Sequence, residues 1–386
     1  MSAVTTTLPQ LGIKERISTR LIFCLSGITL GAWAPLVPVA KDRLGINEGT
    51  LGLLLLCMGV GSILAMPMTA FLTSRFGCRQ IITLAAAGLV LMLPILTIAP
   101  SPLLMAAALV LFGMVMGCNS VAMNLQAVLV ERGSGLVLMS GFHALFSLGG
   151  IVGSASIAFM MAWGVTPTLA AVFVAASVAL LLIVAIPGLL PYSDDSGEKA
   201  PAFVIPRGIV IVIGILALLA MLAEGAVLDW GALFLIQVRD ADRNFAGFGY
   251  TAFATAMTVG RLLGDAVRTR FGDNNVLFWS AVLATFGFVV ALVVPSAAAG
   301  IGGFLLIGAG ISNLIPILFT LTGKTKSMPA NLALASVFTV GYVGIIAGPA
   351  AVGFVAHLFS LQIAFVILCL AVAVIAASAR TVVSKL

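Results

Sequence analysis

Charge is what this 386-residue sequence has least of: Asp, Glu, Lys and Arg make up 8% of it, against roughly 25% in a soluble globular chain. That deficit excludes an ordinary soluble enzyme, a disordered protein and a nucleic-acid binder. The net charge of +6 does not reverse the argument, because the Lys and Arg sit in short loops between apolar runs. Histidine is nearly absent, with two residues. There is no H-E-x-x-H, Cys/His cluster or C-x-x-C, which argues against a zinc or haem site. The five cysteines, Cys24, Cys57, Cys78, Cys118 and Cys369, are odd in number and lie mostly in apolar runs. They read as small buried side chains, not as a disulfide or metal framework. Without a phosphate loop or a G-x-S-x-G there is no sign of an ATP-driven pump or a hydrolase. The chain is expected not to be an enzyme and to need no cofactor.

What is present is hydrophobic length. Apolar residues make up 61% of the chain and the mean hydropathy is +1.23. Runs fall at roughly 17–40, 49–71, 80–99, 102–130, 136–162, 166–189, 208–237, 245–267, 275–295, 298–323, 330–357 and 361–383. A span needs about 20 residues, so twelve spans use nearly the whole chain. The first run is longer than the 7–15-residue core of a signal peptide and is expected to stay as a span. The one longer polar stretch, Pro191 to Pro206, reads as a linker between a bundle at 1–190 and a bundle at 207–386. With the N-terminus in the cytoplasm, every Lys and Arg except Lys41, Arg43, Arg239 and Arg243 falls on the cytoplasmic side. Each of those four has an acid nearby. This bias places both termini and the linker in the cytoplasm, on a bacterial inner membrane.

The two halves repeat. Arg75-Phe76-Gly77 recurs as Arg270-Phe271-Gly272, and the same offset of 195 takes Gly113 to Gly308, Gly149 to Gly344, Gly153 to Gly348 and Phe159 to Phe354. One constant offset through loops and spans predicts an all-α membrane protein: twelve helices in two pseudo-symmetric six-helix bundles, the parallel-repeat construction of transporters. Small residues four apart, as at Gly27/Gly31, Gly149/Gly153, Gly260/Gly264 and Gly344/Gly348, let backbones approach closely. They serve either plain packing or a surface on which the halves rock.

Acids inside the spans are scarce. Glu224 lies mid-run, and Asp229 follows it about a turn and a half further on. Each would cost about 2.5–3.5 kcal/mol if ionised near the bilayer centre, and no Lys or Arg in that run can pair with them. Either carboxyl could serve binding or proton coupling; otherwise Asp229 caps the helix with Trp230 and Glu224 makes a structural hydrogen bond. The fourth run carries Asn119, Ser120, Asn124 and Gln126, suited either to a hydroxylated solute or to interhelical hydrogen bonds. His143 is a structural residue or a proton relay. Trp33, near Pro35 and Pro38, is an interfacial anchor or a cavity wall. The stretch Arg75 to Arg79 and its echo around Arg270 read either as topology charges or as a latch that bonds helix-end carbonyls or an acid on the facing bundle. Asp265, four residues after Arg261, is placed to form a helical pair with it.

Several stretches resemble the major facilitator superfamily. Ala70–Arg79 is similar to its G-x-L-x-D-R-x-G-R-R loop signature, with Ser74 and Thr269 where the family has an aspartate. Gly31-Ala32-Trp33-Ala34-Pro35, Val121-Ala122-Met123-Asn124, Phe142-His143-Ala144-Leu145-Phe146, Ala223-Glu224-Gly225 with Asp229-Trp230, and Gly260-Arg261-Leu262-Leu263-Gly264-Asp265 resemble the fucose-permease-like branch. That branch includes proteins of the YbjJ type and rhizobial MosC-type proteins associated with rhizopines. The resemblance implies alternating access, proton coupling and sugar or polyol solutes. The family's acid in the first run and the acid near Ser120 are missing here, so Glu224 and Asp229 gain weight.

The expectation is a secondary transporter of a small polar solute, such as a sugar, polyol or amino-polyol, coupled to protons and monomeric in the bilayer. Efflux of amphipathic compounds is the alternative within transport, and a membrane sensor or scaffold is the alternative outside it. The binding or coupling candidates are Glu224, Asp229, Asn119, Asn124, Gln126, His143 and Trp33. The latch candidates are Arg75, Arg79, Arg261, Asp265 and Arg270.

Overall fold

The computed structural model describes residues 11–136, 138–193, 206–325, 327–328 and 330–384; most of the expected linker lies outside them. The described residues form helices α1 (Ile13–Trp33), α2 (Leu36–Leu44), α3 (Glu48–Ile98), α4 (Pro102–Ser134), α5 (Met139–Ala162) and α6 (Pro167–Ala185) in the first half. The second half has α7 (Ile209–Arg239), α8 (Phe248–Phe271), α9 (Asp273–Val293), α10 (Ala297–Ile311), α11 (Leu314–Gly323), α12 (Ala330–Leu358) and α13 (Leu361–Ser384). Among the described residues, ten helices are long and apolar enough to cross a membrane, and the pair α1 and α2, bent by 42°, supplies an eleventh. The twelfth expected span is α8, whose sequence carries Arg261, Asp265, Arg268 and Arg270. It is the one amphipathic member of the set.

The chain breaks where the backbone must leave the helical region. Gly77 divides α3 into two spans at φ 78° and ψ 162°, and Gly272 separates α8 from α9 at φ 79° and ψ 149°. A side chain at either position would be strained, so glycine is required there. The arginine before each turn lies over its neighbouring ring: Arg75 over Phe76 and Arg270 over Phe271, both at 5.6 Å. These turns share one face of the molecule with the start of α1 and the start of α7.

Within each half the helices meet through glycine. A methyl group at Gly113 on α4 would lie 1.9 Å from Met58 O on α3, and one at Gly308 on α10 would lie 2.1 Å from Phe253 O on α8. Both members of each contact are related by the offset of 195. The α1–α5 crossing is equally close, and at four glycines. Gly27 lies against the Phe146 carbonyl, Gly31 against Gly150, Gly149 against Cys24 and Gly153 against Ile28. Lipid gives apolar side chains no reason to associate, so direct backbone contact is what holds such helices together.

The repeat extends to the face opposite the Arg-Phe-Gly turns. Arg43 donates to Leu96 O at 2.9 Å, and Arg239 donates to Ala291 O at 2.6 Å and to Leu292 O. Each arginine satisfies the free carbonyls at a helix C-terminus, where a cation also complements the helix dipole. Nearby acids were expected to offset these charges, but Arg43 and Arg239 take carbonyls instead. The other two opposite-face charges do find acids. Lys41 pairs with Glu48 at 3.3 Å, and Arg243 pairs with Asp42 across the two halves.

On that opposite face the halves close on each other. Glu48 accepts a hydrogen bond from Gln237 at 2.9 Å, and Ser154 on α5 and Thr251 on α8 share one at 2.9 Å. Phe159 meets Phe248 edge-on at 4.8 Å. The tightest contact is steric: a methyl at Gly353 on α12 would lie 2.6 Å from Glu48 O and 2.8 Å from the Gly52 Cα. Exposed ion pairs contribute about 0–1 kcal/mol, so packing at Gly52 and Gly353 should outweigh the Asp42–Arg243 pair. Accordingly, Gly353→Leu should force this face open. Spin labels at Trp163 and Asn244, in a cysteine-free background, should show a longer distance in that variant. Arg243→Ala should leave the distance nearly unchanged.

Candidate functional site

Between the halves, on the Arg-Phe-Gly side of the closed face, lies a cavity of about 250 Å³. The first half contributes small and apolar surface: Gly27, Leu30 and Gly31 from α1, and Phe146, Ser147 and Gly150 from α5. The second half contributes Glu224 and Leu228 from α7, Tyr250, Met257, Thr258 and Arg261 from α8, and Ile345 from α12. The α1–α5 glycines are in the wall because that crossing brings the backbones themselves to the surface. A larger groove of about 530 Å³ on the outer flank of α8 and α9, beside Phe271, Trp279 and Leu283, carries no charged side chain.

The cavity holds one ion pair. Arg261 Nη2 donates to Glu224 Oε1 at 3.3 Å and to Oε2 at 3.4 Å. The two side chains keep 39% and 28% of their exposure, so both reach open space. This answers the expectation that Glu224 has no basic partner: none lies in its own helix, and the next helix supplies it. Arg261, expected among the latch residues, turns into the cavity and is held by Glu224. The side chain of Asp265, its other expected partner, lies outside the described residues.

The remaining candidates are not brought to the ion pair. Asp229 is 4% exposed and its Oδ1 has no hydrogen-bond partner among the described residues. Trp33 is packed in the core at 1% exposure, which removes the interfacial-anchor reading, and its indole N–H is also without a partner. Asn119 is fully buried and donates to Ser26 Oγ on α1 at 2.6 Å. Asn124 donates to Ser120 O of its own helix at 2.8 Å. Gln126, also fully buried, accepts from the Leu190 N–H at 3.0 Å and donates to Thr19 Oγ1 at 3.3 Å and Gly188 O at 3.4 Å. Asn119 and Gln126 thus tie α4 to its neighbours, whereas Asn124 is half-buried and bonds only within α4. His143 packs edge-on against Phe23 at 5.1 Å. Glu131 takes the N–H groups of Leu138 and Met139 at 2.6 and 2.8 Å, capping the start of α5.

The latch arginines also separate. Arg79 donates to Leu189 O at 2.8 Å and Pro187 O at 3.4 Å, inside its own half. Arg75 and Arg270 are exposed beside their phenylalanines. Near them, Arg268 donates to Asp273 and to Thr320, both at 2.8 Å. No cluster of three His, Cys, Asp or Glu that could hold a metal occurs among the described residues.

Two repeated helical halves around a cavity closed from one side are the architecture of a transporter, and sequence comparison decides which kind. The family model for the Major Facilitator Superfamily matches residues 21–331. The chain belongs to the major facilitator superfamily. It is 48% identical over 373 residues to an uncharacterised MFS-type transporter of Yersinia pestis, covering 97% of each chain. It is 32% identical to the membrane protein MosC of Rhizobium meliloti, covering 92% of this chain and 87% of that one. Among solved structures it is similar to the nucleoside transporter NupG, with TM-score 0.74 at 14% identity over 96% of this chain and 98% of that one. It is equally similar to a bacterial homologue of the lysosomal transporter Spinster, in an inward-facing and occupied conformation, with TM-score 0.74, 14% identity and 96% coverage of both chains. At such identity the two structures establish the fold alone. As a facilitator-superfamily member, the protein is a multi-pass membrane transporter of small molecules and not an enzyme.

Sequence reasoning missed Tyr250 and the role of Arg261 in the cavity. The signal was available for Arg261: it shares a helix face with Tyr250, Met257 and Thr258, well above the loop arginines. Gln126→Ala should orphan the Leu190 N–H and the Gly188 carbonyl at a cost of about 1–3 kcal/mol. Thermal unfolding should therefore shift down, while transport per folded molecule is retained.

Proposed function

We propose that the chain is a secondary active transporter that carries a small hydroxylated solute, of sugar or polyol size, by alternating access with protons as the coupling ion. The observation that carries this reading is the Glu224–Arg261 pair, accessible within a cavity between two halves that close on each other at one face. Intramembrane ionisable groups facing a cavity mark solute and ion pathways. A carboxylate held by a guanidinium has two states, paired and protonated, which is what coupling requires. The cavity is smaller than the roughly 300–1,000 Å³ of drug-sized pockets, which weighs against efflux of large amphipathic compounds.

The closed face is the periplasmic one in this reading, because the positive-inside bias puts the Arg-Phe-Gly turns and both termini in the cytoplasm of an inner-membrane protein. Arg75 and Arg270, exposed here, then bond the facing bundle when the cytoplasmic side shuts. The orientation has a direct check. Cysteines placed at Ser193 and Asn331 should label only from the cytoplasm and one at Asp240 only from outside. Labelling of Ser193 and Asp240 from the same side would reject it.

Coupling is tested in proteoliposomes with an imposed pH gradient. Glu224→Gln keeps the size and hydrogen bonding of the side chain but does not titrate. It should abolish proton-driven accumulation while solute counterflow survives. Accumulation equal to the parent would move the coupling site away from Glu224, to Asp229 as the first alternative, tested by Asp229→Asn. A sensor that kept the fold would bind solute in the same preparation without moving it.

A further inference from the structure

The cavity holds hydrogen-bond donors from which no described residue accepts. A guanidinium carries five N–H donors, and Arg261 uses Nη2 alone, toward Glu224. Its Nε and Nη1 make no hydrogen bond among the described residues. The Tyr250 and Ser147 hydroxyls line the same space and are likewise without a partner among the described residues. On the acceptor side stands the Glu224 carboxylate, with both oxygens already turned to Arg261. These donors face walls that offer no acceptor, such as Phe146, Leu228 and Ile345, and are free to turn to an acceptor on a ligand.

Charge bookkeeping points the same way. An arginine is charged at every accessible pH, so a cationic solute entering here would leave two positive charges facing one carboxylate. An anion entering is compensated once Glu224 binds a proton, because the site then holds Arg261 and one anionic group, as it did when empty. A planar oxyanion also matches the fork of the guanidinium, which donates two parallel hydrogen bonds to it.

We propose that the solute is a hydroxylated carboxylate of sugar size, bound through its oxyanion to the Nε and Nη1 edge of Arg261 while Glu224 takes up one proton from water. The proposal rests on the transport reading of the same cavity. Carboxylate and proton then enter together, and the loaded site carries no more charge than the empty one. Among the described residues, Tyr250 from α8 lies within electrostatic reach of both members of the pair, His143 from α5 within reach of Arg261, and Asp229 from α7 within reach of Tyr250; the side chain of Asp265, one turn from Arg261 on α8, lies outside the described residues. The residues that α1 and α12 contribute to the wall, Gly27, Leu30, Gly31 and Ile345, do not titrate.

Three probes differ in charge on nearly the same ring: D-glucuronate, D-glucose and D-glucosamine. A ligand that binds the native state alone raises apparent stability by mass action, so thermal unfolding of the purified full-length protein reads binding. Glucuronate should stabilise the protein at least tenfold more tightly than either other probe, with affinity rising as pH falls from 7.5 to 5.5. Arg261→Ala should lose the response; if that variant does not fold, Arg261→Lys, which keeps the charge but loses the fork, should weaken it. Glu224→Gln should keep the glucuronate response and lose its pH dependence. Stabilisation by glucosamine that Glu224→Gln removes would overturn the oxyanion assignment and leave the transport site in place. A glucuronate response indifferent to Arg261, or silence toward all three probes, would overturn it as well. Neither result bears on accumulation under a pH gradient, so failure of this assignment is distinguishable from failure of the transport reading.

Discussion

Contact between helices without intervening side chains is the constraint from which the cavity follows. Because α1 and α5 meet at Gly27, Gly31, Gly149 and Gly153, their backbones lie closer than any side chain would permit. In lipid, where burying leucine against leucine gains little, this proximity is what fixes the crossing. It leaves a thin, smooth wall on one side of the space between the halves. The opposite wall, on α7 and α8, is then free to carry the polar groups. A bulkier residue at any of these glycines would move the wall before it altered any chemistry.

The repeat could be read from the sequence because it is written in residues that the backbone itself demands. Gly77 and Gly272 adopt nearly the same positive φ, and Gly113 and Gly308 meet carbonyls one offset away. These positions tolerate nothing else, so the spacing persists and shows. The paired arginine caps, Arg43 and Arg239, were less visible. Their partners are backbone carbonyls, which have no signature in the sequence, and nearby acids offered a simpler pairing.

The site was legible in part. Glu224 stood out because acids are costly in a span, and the structure places it in the cavity. Its partner did not stand out, since a pairing between helices depends on rotation about each axis and spacing along one helix is silent on that. The amides of α4 failed for a related reason. Asn119 and Gln126 are the right chemistry for a solute, but at 0% exposure they bond to Ser26, Thr19 and the segment after α6 at Leu190. Polarity within a span signals an obligation to be satisfied, and whether a solute or a neighbour satisfies it is decided by packing.

One asymmetry stands out within the repeated frame. The offset of 195 carries Glu224 onto Thr29 and Arg261 onto Met66, so the ion pair has no twin in the first half. Thr29 instead donates to Leu25 O of its own helix at 2.9 Å. A molecule gripped by this pair would therefore be a passenger of the second half alone, and the first half would work as a shutter drawn across it. The passenger need hardly travel: what crosses the midplane is the barrier, first on one side of the passenger and then on the other. On that reading a duplicated scaffold would supply the symmetric swing, and a pair of charges present in one copy only would decide which half stays attached to the cargo.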